Sequence, residues 1–191
     1  NTYAALSAVV EKGAACVVEG AAARYTPVPI AEFCGNRIRS LRDDARELTK
    51  LQPRCRPESD GYITVAGEKH ILDKMKNMLR GAEERVYVSM SSSLIARILP
   101  ELQDMTDRGL KVVVITDRPP GPAGATVYCA KDKQMQIRMI VDSRCVLTGD
   151  LNDGENSTCL YSRTDNLVSL FKEDLKNEIR LIELTQGREQ S

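Results

Sequence analysis

Tryptophan is missing from this chain of 191 residues, and there are only two phenylalanines and one histidine. The core therefore has to be aliphatic, built on Leu, Ile, Val and Met. No stretch approaches the roughly 20 apolar residues of a membrane span, so no membrane partner is expected. The first residues, Asn-Thr-Tyr-Ala-Ala-Leu, lack the basic start and apolar run of a signal peptide, which leaves the cytoplasm as the default location. Net charge is also missing, with 27 basic side chains against 27 acidic ones. That balance excludes a protein that coats polyanions generally, while a small basic patch still suffices for DNA. The six cysteines, at 16, 34, 55, 129, 145 and 159, form no Cys-x-x-Cys pair and have no nearby His. Neither a metal nor a cofactor is expected from such spacing. Buried thiols acting as small hydrophobes are the expected state of these cysteines, with a redox-sensing role as the other reading.

The length suits one medium domain with a smaller attachment. Thr2 to Lys12 reads as an amphipathic helix, with Tyr3, Leu6, Val9 and Val10 on one face and Gly13 as its stop. Two β-like stretches follow, Ala15 to Glu19 and Ala22 to Thr26. Helix, glycine and hairpin together form the way a winged helix-turn-helix ends. The two helices that open such a domain are expected upstream of Asn1, because a lone helix and hairpin have no core. Residues 1–29 are thus assigned as the C-terminal part of a DNA-binding domain.

After Pro27-Val28-Pro29 a heptad pattern holds over 30–52. Cys34, Ile38, Leu41, Ala45 and Leu48 alternate steps of four and three between charged flanks, the seam of a coiled coil. This helix is expected to make a homodimer, against the plainer reading of a helix packed on its own domain. Residues 53–61 read as a linker, with two prolines and a glycine among polar residues.

From 62 to 184 strands and helices alternate, leaving 185–191 as a tail. Strands are expected at Ile63–Val65, Arg85–Met90, Lys111–Thr116, Thr126–Ala130, Gln136–Val141, Cys145–Thr148 and Thr158–Ser162. Helices are expected at Glu68–Leu79, at Leu94–Arg108 with a break or bend at Pro100, and at Asn166–Leu184. The apolar run Val112-Val113-Val114-Ile115 is typical of a buried parallel strand. The order gives an α/β domain with a mixed sheet.

Asp142, Gly149 and Asn152 carry a specific spacing within Met135 to Asn152. It resembles the second half of the phospholipase D signature, His-x-Lys-(x)4-Asp-(x)6-Gly-Ser-x-Asn. Met135 and Ile137 stand at the His and Lys positions, and Asp150 replaces the Ser. That chemistry needs two imidazoles and phosphate-holding lysines. The only histidine, His70, lies far from the motif and reads as a helix surface residue. Alternation puts Gln136 and Arg138 on the face opposite Met135 and Ile137, so the place of the lost catalytic pair is apolar.

Several segments carry a second resemblance: Asn1-Thr2-Tyr3-Ala4-Ala5-Leu6, Glu11-Lys12-Gly13, Arg24-Tyr25-Thr26-Pro27-Val28-Pro29, Lys111 to Asp117, Ile140-Val141-Asp142, and Tyr161-Ser162-Arg163 with Asn166-Leu167-Val168. Taken in order they resemble the TrmB family of transcriptional regulators, whose pattern is a winged helix, a dimerising helix and a phospholipase-D-like effector domain. The fold class this implies is α/β: a winged-helix remnant, a coiled-coil helix, and a phospholipase-D-like α/β domain with a mixed sheet. The sequence ends at Ser191, before the sugar-binding β-domain of longer archaeal members, so a sugar effector is not carried over.

The DNA-binding candidates are Asn1, Thr2 and Tyr3, at a helix start that reaches base edges or phosphates, and Arg24 on the wing. Residues 1–56 hold nine basic side chains against six acidic ones. Effector candidates lie where parallel strands end. Ser91 and Ser92 suit an anion at a helix start or simple N-capping. Asp117 and Arg118 suit a ligand's charges or each other. Asp142 and Asn152 suit a ligand, or a polar turn.

The expected function is a dimeric regulator that binds double-stranded DNA and senses an unidentified small molecule through a catalytically inactive domain. A residual phosphodiesterase or nuclease is the alternative from another class, and a cysteine-based redox-sensing regulator is the third reading.

Overall fold

The computed structural model describes residues 2–20, 22–51, 61–119, 121–130, 133–151 and 157–188. The chain divides into two compact units, Asn1–Pro57 and Glu58–Ser191. Most of the expected linker, and Asn1, lie outside the described residues.

The first unit contains α1 (Thr2–Glu11), the antiparallel hairpin β1 (Ala15–Val18) and β2 (Arg24–Pro27), and α2 (Ile30–Leu51). Gly13 has φ 75° and ends α1 in the left-handed conformation that glycine adopts without a Cβ penalty. Its N–H donates to the Val10 carbonyl at 2.8 Å and that of Ala14 to Val9 at 3.0 Å, satisfying carbonyls at the helix end. Pro29 cannot donate within a helix, but its carbonyl accepts from Phe33 N–H at 2.9 Å and so starts α2. Neither α1 nor α2 has a buried residue. Ala15 is the one buried hydrophobic among the described residues of this unit. The unit therefore has almost no core of its own.

The second unit is built on a seven-stranded sheet. Its strands are β3 (Tyr62–Ala66), β4 (Arg85–Ser89), β5 (Lys111–Thr116), β6 (Thr126–Cys129), β7 (Gln136–Val141), β8 (Cys145–Asp150) and β9 (Thr158–Ser162). Their spatial order is β3-β9-β8-β7-β4-β5-β6. Only β4–β5, joined by the crossover through α4, and β5–β6 are parallel; the other pairs are antiparallel.

Helices α3 (Glu68–Arg80) and α4 (Ser92–Asp107) cover one face, and α5 (Asp165–Arg188) covers the other. Alternation along the strands feeds both layers. Val86, Val88, Ile137, Met139 and Val141 pack under α3 and α4, while Ile115, Ile140 and Val146 meet Val168 and Leu175 of α5. The aliphatic core expected from the missing tryptophans is the observed one.

Three boundaries differ from expectation. Helix α4 starts at Ser92 and continues through Pro100. Pro100 is exposed, so the intrahelical bond it forgoes faces water, while buried Ile98 and Leu102 anchor the helix on either side. Strand β8 runs to Asp150, so Gly149 and Asp150 are ladder residues, not loop residues. Helix α5 reaches Arg188, so the tail expected over 185–191 begins inside it.

Candidate functional site

The strand pair that carries the altered signature is intact as structure. Ile137 is wholly buried against α3 and α4, Met135 packs on the same core, and Gly149 is the cross-strand partner of Ile137. A Cβ on Gly149 would meet the Thr158 carbonyl oxygen at 2.2 Å and Cys159 Cα at 2.7 Å. The glycine is thus required where β9 crosses close to β8. The positions at which the signature has His and Lys are held by apolar side chains, one of them buried and one partly buried. His70 is exposed on α3, outside this strand pair.

Asp142 sits in the turn between β7 and β8. Asp142 and Ser143 have φ of 52° and 55°, and Arg144 N–H closes the turn on the Val141 carbonyl at 3.0 Å. This is the doubly left-handed turn that matches strand twist. The Asp142 carboxylate is fully used. Its Oδ1 accepts from the backbone N–H of Glu84 and of Arg85, each at 2.8 Å, and Oδ2 accepts from Glu83 N–H at 2.9 Å. Burial pushes its pKa up, but those three donors outweigh burial and hold it below the usual carboxylate value.

The carboxyl ends of β4 and β5 bring together four of the predicted effector residues. Ser91 is the N-cap of α4, yet its side chain makes no cap bond and instead pairs with Ser93 Oγ at 3.0 Å. The cap comes from the neighbouring strand, where Asp117 Oδ1 accepts from Ser92 N–H at 2.6 Å. That bond lowers the Asp117 pKa and outweighs its burial. Arg118 is exposed, with Nε 3.9 Å from Asp117 Oδ2. Asn152 lies outside the described residues, and Leu151 just before it is buried.

Asp142 does not join this group. It borders Arg85, at the start of β4, whereas Ser91 and Asp117 follow the ends of β4 and β5. The antiparallel β7–β8 turn necessarily falls at the opposite edge of the sheet from the parallel strand ends.

Two features on the α5 side were not read from the sequence. The first is a charge cluster around one buried lysine. Lys133, only 5% exposed, donates to Ser89 Oγ at 2.8 Å and pairs with Glu178, while Arg138 bridges to Asp174 at 2.7 Å and to Glu178 at 3.3 Å. Burial pushes the Lys133 pKa down in spite of Glu178. The second is a groove of about 600 Å³ between α5 and β4, β5 and β6. Lys172, Lys176 and Arg180 line it at helical spacing, a periodicity visible in the sequence. Their sheet-side neighbours, Arg85 and Lys111, become adjacent only through strand pairing.

In the first unit Thr2 and Tyr3 are exposed in the opening turn of α1, and Arg24 is exposed at the start of β2. Cys34, Ile38, Leu41, Ala45 and Leu48 are all exposed along α2. The expectation of buried thiols needs correcting. Cys159 is buried and its pKa is pushed up to about 11, and Cys145 is half-buried, but Cys16, Cys34 and Cys129 are exposed. Cys34 follows the seam of α2 to the surface, and Cys129 ends an edge strand. Cys55 lies outside the described residues. Among the described residues no three His, Cys, Asp or Glu side chains are grouped to hold a metal ion. No described helix is long and apolar enough to cross a membrane.

Residues 61–174 match the family model for the transcriptional regulator TrmB, EBD N-terminal subdomain. The chain is 23% identical over 194 residues to the protein YrhO of Bacillus subtilis (strain 168), covering 95% of this chain and 70% of that protein. Among solved structures it is similar in fold to TrmBL2, described as an archaeal chromatin protein with a novel mode of DNA binding. That match has a TM-score of 0.54 and 18% identity, over 94% of this chain and 80% of the other. Nuc from Salmonella typhimurium, a phospholipase D family member, matches with a TM-score of 0.49 and 16% identity, over 61% of this chain and 93% of the other.

Proposed function

The chain belongs to the TrmB family of transcriptional regulators, and from that premise we propose that it binds double-stranded DNA as a homodimer and that its α/β unit is a sensor without catalytic activity. The observation that carries this reading is the apolar seam of α2. Ile38 is 50% exposed, and Leu41 and Leu48 are each 67% exposed, on a helix that buries nothing within its own unit. Such a seam on a 22-residue helix is what a second copy would cover, each side chain contributing roughly 1–2 kcal/mol when buried.

In this reading residues 1–29 end a winged helix-turn-helix, 30–52 form the dimerising helix, and 62–184 form the phospholipase-D-like effector domain. Thr2 and Tyr3 approach base edges, and Arg24 follows the phosphate backbone. TrmBL2 supports the reading, since its description names DNA binding. A dimer would hold its two α1 helices about 34 Å apart, one turn of DNA. A ligand on the α/β unit would change operator affinity by altering that spacing through α2. Inactivity is supported by Met135 and Ile137, which supply neither a nucleophile nor a phosphate-binding cation and are packed into the core.

The test is fluorescence anisotropy with the DNA upstream of the protein's own coding sequence against a scrambled duplex, alongside light scattering for mass. The expected result is a dimer that prefers the upstream duplex. A monomer with no preference under any salt condition would overturn the proposal, and metal-independent hydrolysis of a phosphodiester would overturn its inactive part.

A further inference from the structure

The groove under α5 has the chemistry of a ligand site, and none of the residues considered above for effector binding lines it. Five cationic residues line it, Arg85, Lys111, Lys172, Lys176 and Arg180, against the single carboxylate of Glu173. Five arginines elsewhere on the same unit are neutralised: Arg80 by Glu101, Arg97 by Glu68, Arg108 by Asp104, Arg138 by Asp174 and Arg144 by Glu83. Lys172, Lys176 and Arg180 make no ion pair with a carboxylate among the described residues. They stand one helical turn apart on a single face of α5, where like charges repel and weaken the helix. Lys111 stands beside them as the direct partner of Arg85 on the adjacent parallel strand; Arg85 is paired with Glu84 at 3.2 Å, whereas Lys111 makes no ion pair among the described residues.

The floor between these cations is neither charged nor featureless. Tyr87 of β4 lies opposite Val113 of β5, and Tyr128 of β6 lies opposite Ile115, two residues further along the same strand; Tyr87, Val113 and Tyr128 all line the groove. The Tyr128 hydroxyl is turned to Glu183, 3.2 Å away, and the Lys111 ammonium lies 5.8 Å from the Tyr87 ring centroid. Two aromatic rings on adjacent sides of an apolar strip offer a flat surface for stacking. The volume of about 600 Å³ lies within the range of small-molecule sites.

We propose that this groove binds a nucleotide, its base lying on the Tyr87–Val113–Tyr128 floor and its phosphates held by Lys172, Lys176 and Arg180 of α5 with Lys111 opposite. A bare phosphate would leave the tyrosine floor unused. A nucleic-acid duplex would not enter a slot walled by a helix on one side and a sheet on the other. The site lies toward the amino-terminal ends of β4 and β5, opposite the strand ends where ligands of open α/β sheets gather. It stands on the α/β unit alone and does not depend on the DNA-binding reading.

Titration calorimetry of the full chain with ATP, GTP, CTP and UTP, and with inorganic triphosphate as the ringless probe, tests it. At least one nucleoside triphosphate is expected to bind, at least about tenfold more tightly than triphosphate. The K176Q/R180Q double variant should weaken that binding by about tenfold or more, the loss expected for two charge-assisted phosphate contacts. Tyr128→Leu should remove the advantage over triphosphate, while Lys69→Gln, on a helix of the opposite face, should change nothing. Circular dichroism melts check that each variant stays folded; Lys176 and Arg180 are exposed, so their loss should leave the melt unchanged. The proposal is overturned if no nucleotide binds at low salt, if the double variant binds as wild type does, or if triphosphate binds as tightly as every nucleotide.

Discussion

Replacing Asp142 by Asn tests whether a residue of the altered signature is kept for the fold alone. The carboxylate takes three backbone N–H groups, from Glu83, Glu84 and Arg85, and in return the Asp142 N–H donates to the Arg85 carbonyl at 2.8 Å. The turn between β7 and β8 is thereby tied to the loop between α3 and β4. Asparagine tolerates the left-handed backbone of this position, so Asp142→Asn isolates the charge and the second acceptor. Hydrogen bonds to charged groups contribute about 1.5–3 kcal/mol each, but these three share one carboxylate and are not additive. A loss of about 2 kcal/mol is expected, and about 3–4 kcal/mol for Asp142→Ala, where the left-handed conformation adds its own cost of about 1 kcal/mol. For a unit of this size 2 kcal/mol lowers the melting temperature by roughly 6–8 °C.

The pH dependence is a second check on the same bonds. The folded pKa of Asp142 lies below its unfolded value of about 3.9. Its contribution is therefore fully present above pH 3.9 and is lost as the pH falls through the folded pKa. The gap between wild type and Asp142→Asn should be constant from pH 7 to about pH 5 and close below pH 4. Thermal melts followed by circular dichroism over that range measure it. Equal melting temperatures at pH 7, or a gap that does not narrow in acid, would refute the reasoning.

Gly149→Ala should cost about 2–4 kcal/mol, because the added methyl meets the β9 backbone, which cannot move aside as a side chain would; chemical denaturation reads the loss. Glu178→Gln should destabilise by about 2–4 kcal/mol, since buried Lys133 loses its counter-ion. Because the Lys133 pKa is lowered on folding, that deficit should shrink as the pH rises toward the ordinary lysine value of about 10.4, which melts at pH 7 and pH 9.5 would register. Leu41→Glu with Leu48→Glu, both at exposed positions, should halve the mass seen by light scattering and leave the melt of the α/β unit unchanged. Mild oxidation should cross-link two copies through Cys34, exposed on the α2 seam. The dimer-sized band on a non-reducing gel should vanish in Cys34→Ser, and its persistence in that variant would count against a pairing along the α2 seam.

Periodicity made the layers legible. The run Val112 to Ile115 marked a strand buried on both faces, and the apolar positions of α3 and α5 marked which side of each helix faces the sheet. The heptads of α2 gave a continuous helix. What escaped the sequence depends on distance along the chain. The α4 cap was assigned to its serines, but the acceptor is Asp117, 25 residues away. Asp142 finds its donors 57 to 59 residues upstream. A break or bend is expected at Pro100 from the ring and its missing donor; the helix is not broken there, because Ile98 and Leu102 are packed on either side. The candidate effector residues around Ser91 and Asp117 could be placed by the rule for strand ends. The five groove cations could not, since Lys111 and Lys176 meet only through the packing of α5 on the sheet.

Strand β3 opens the α/β unit, yet its partner is β9, near the other end, with Tyr62 opposite Ser162. Closing a loop of that length costs roughly 4 kcal/mol of chain entropy before the first rung returns anything. The meander β7–β8–β9 closes over far shorter spans and so forms an edge for β3 to join late. Once docked, β3 is itself an edge strand with Tyr62 and Ile63 turned largely to solvent. An edge strand held by one neighbour can open while the rest of the sheet holds. In chain order β3 is the first strand after α2, so the chain passes from one unit into the sheet of the other through an edge strand held by a single neighbour.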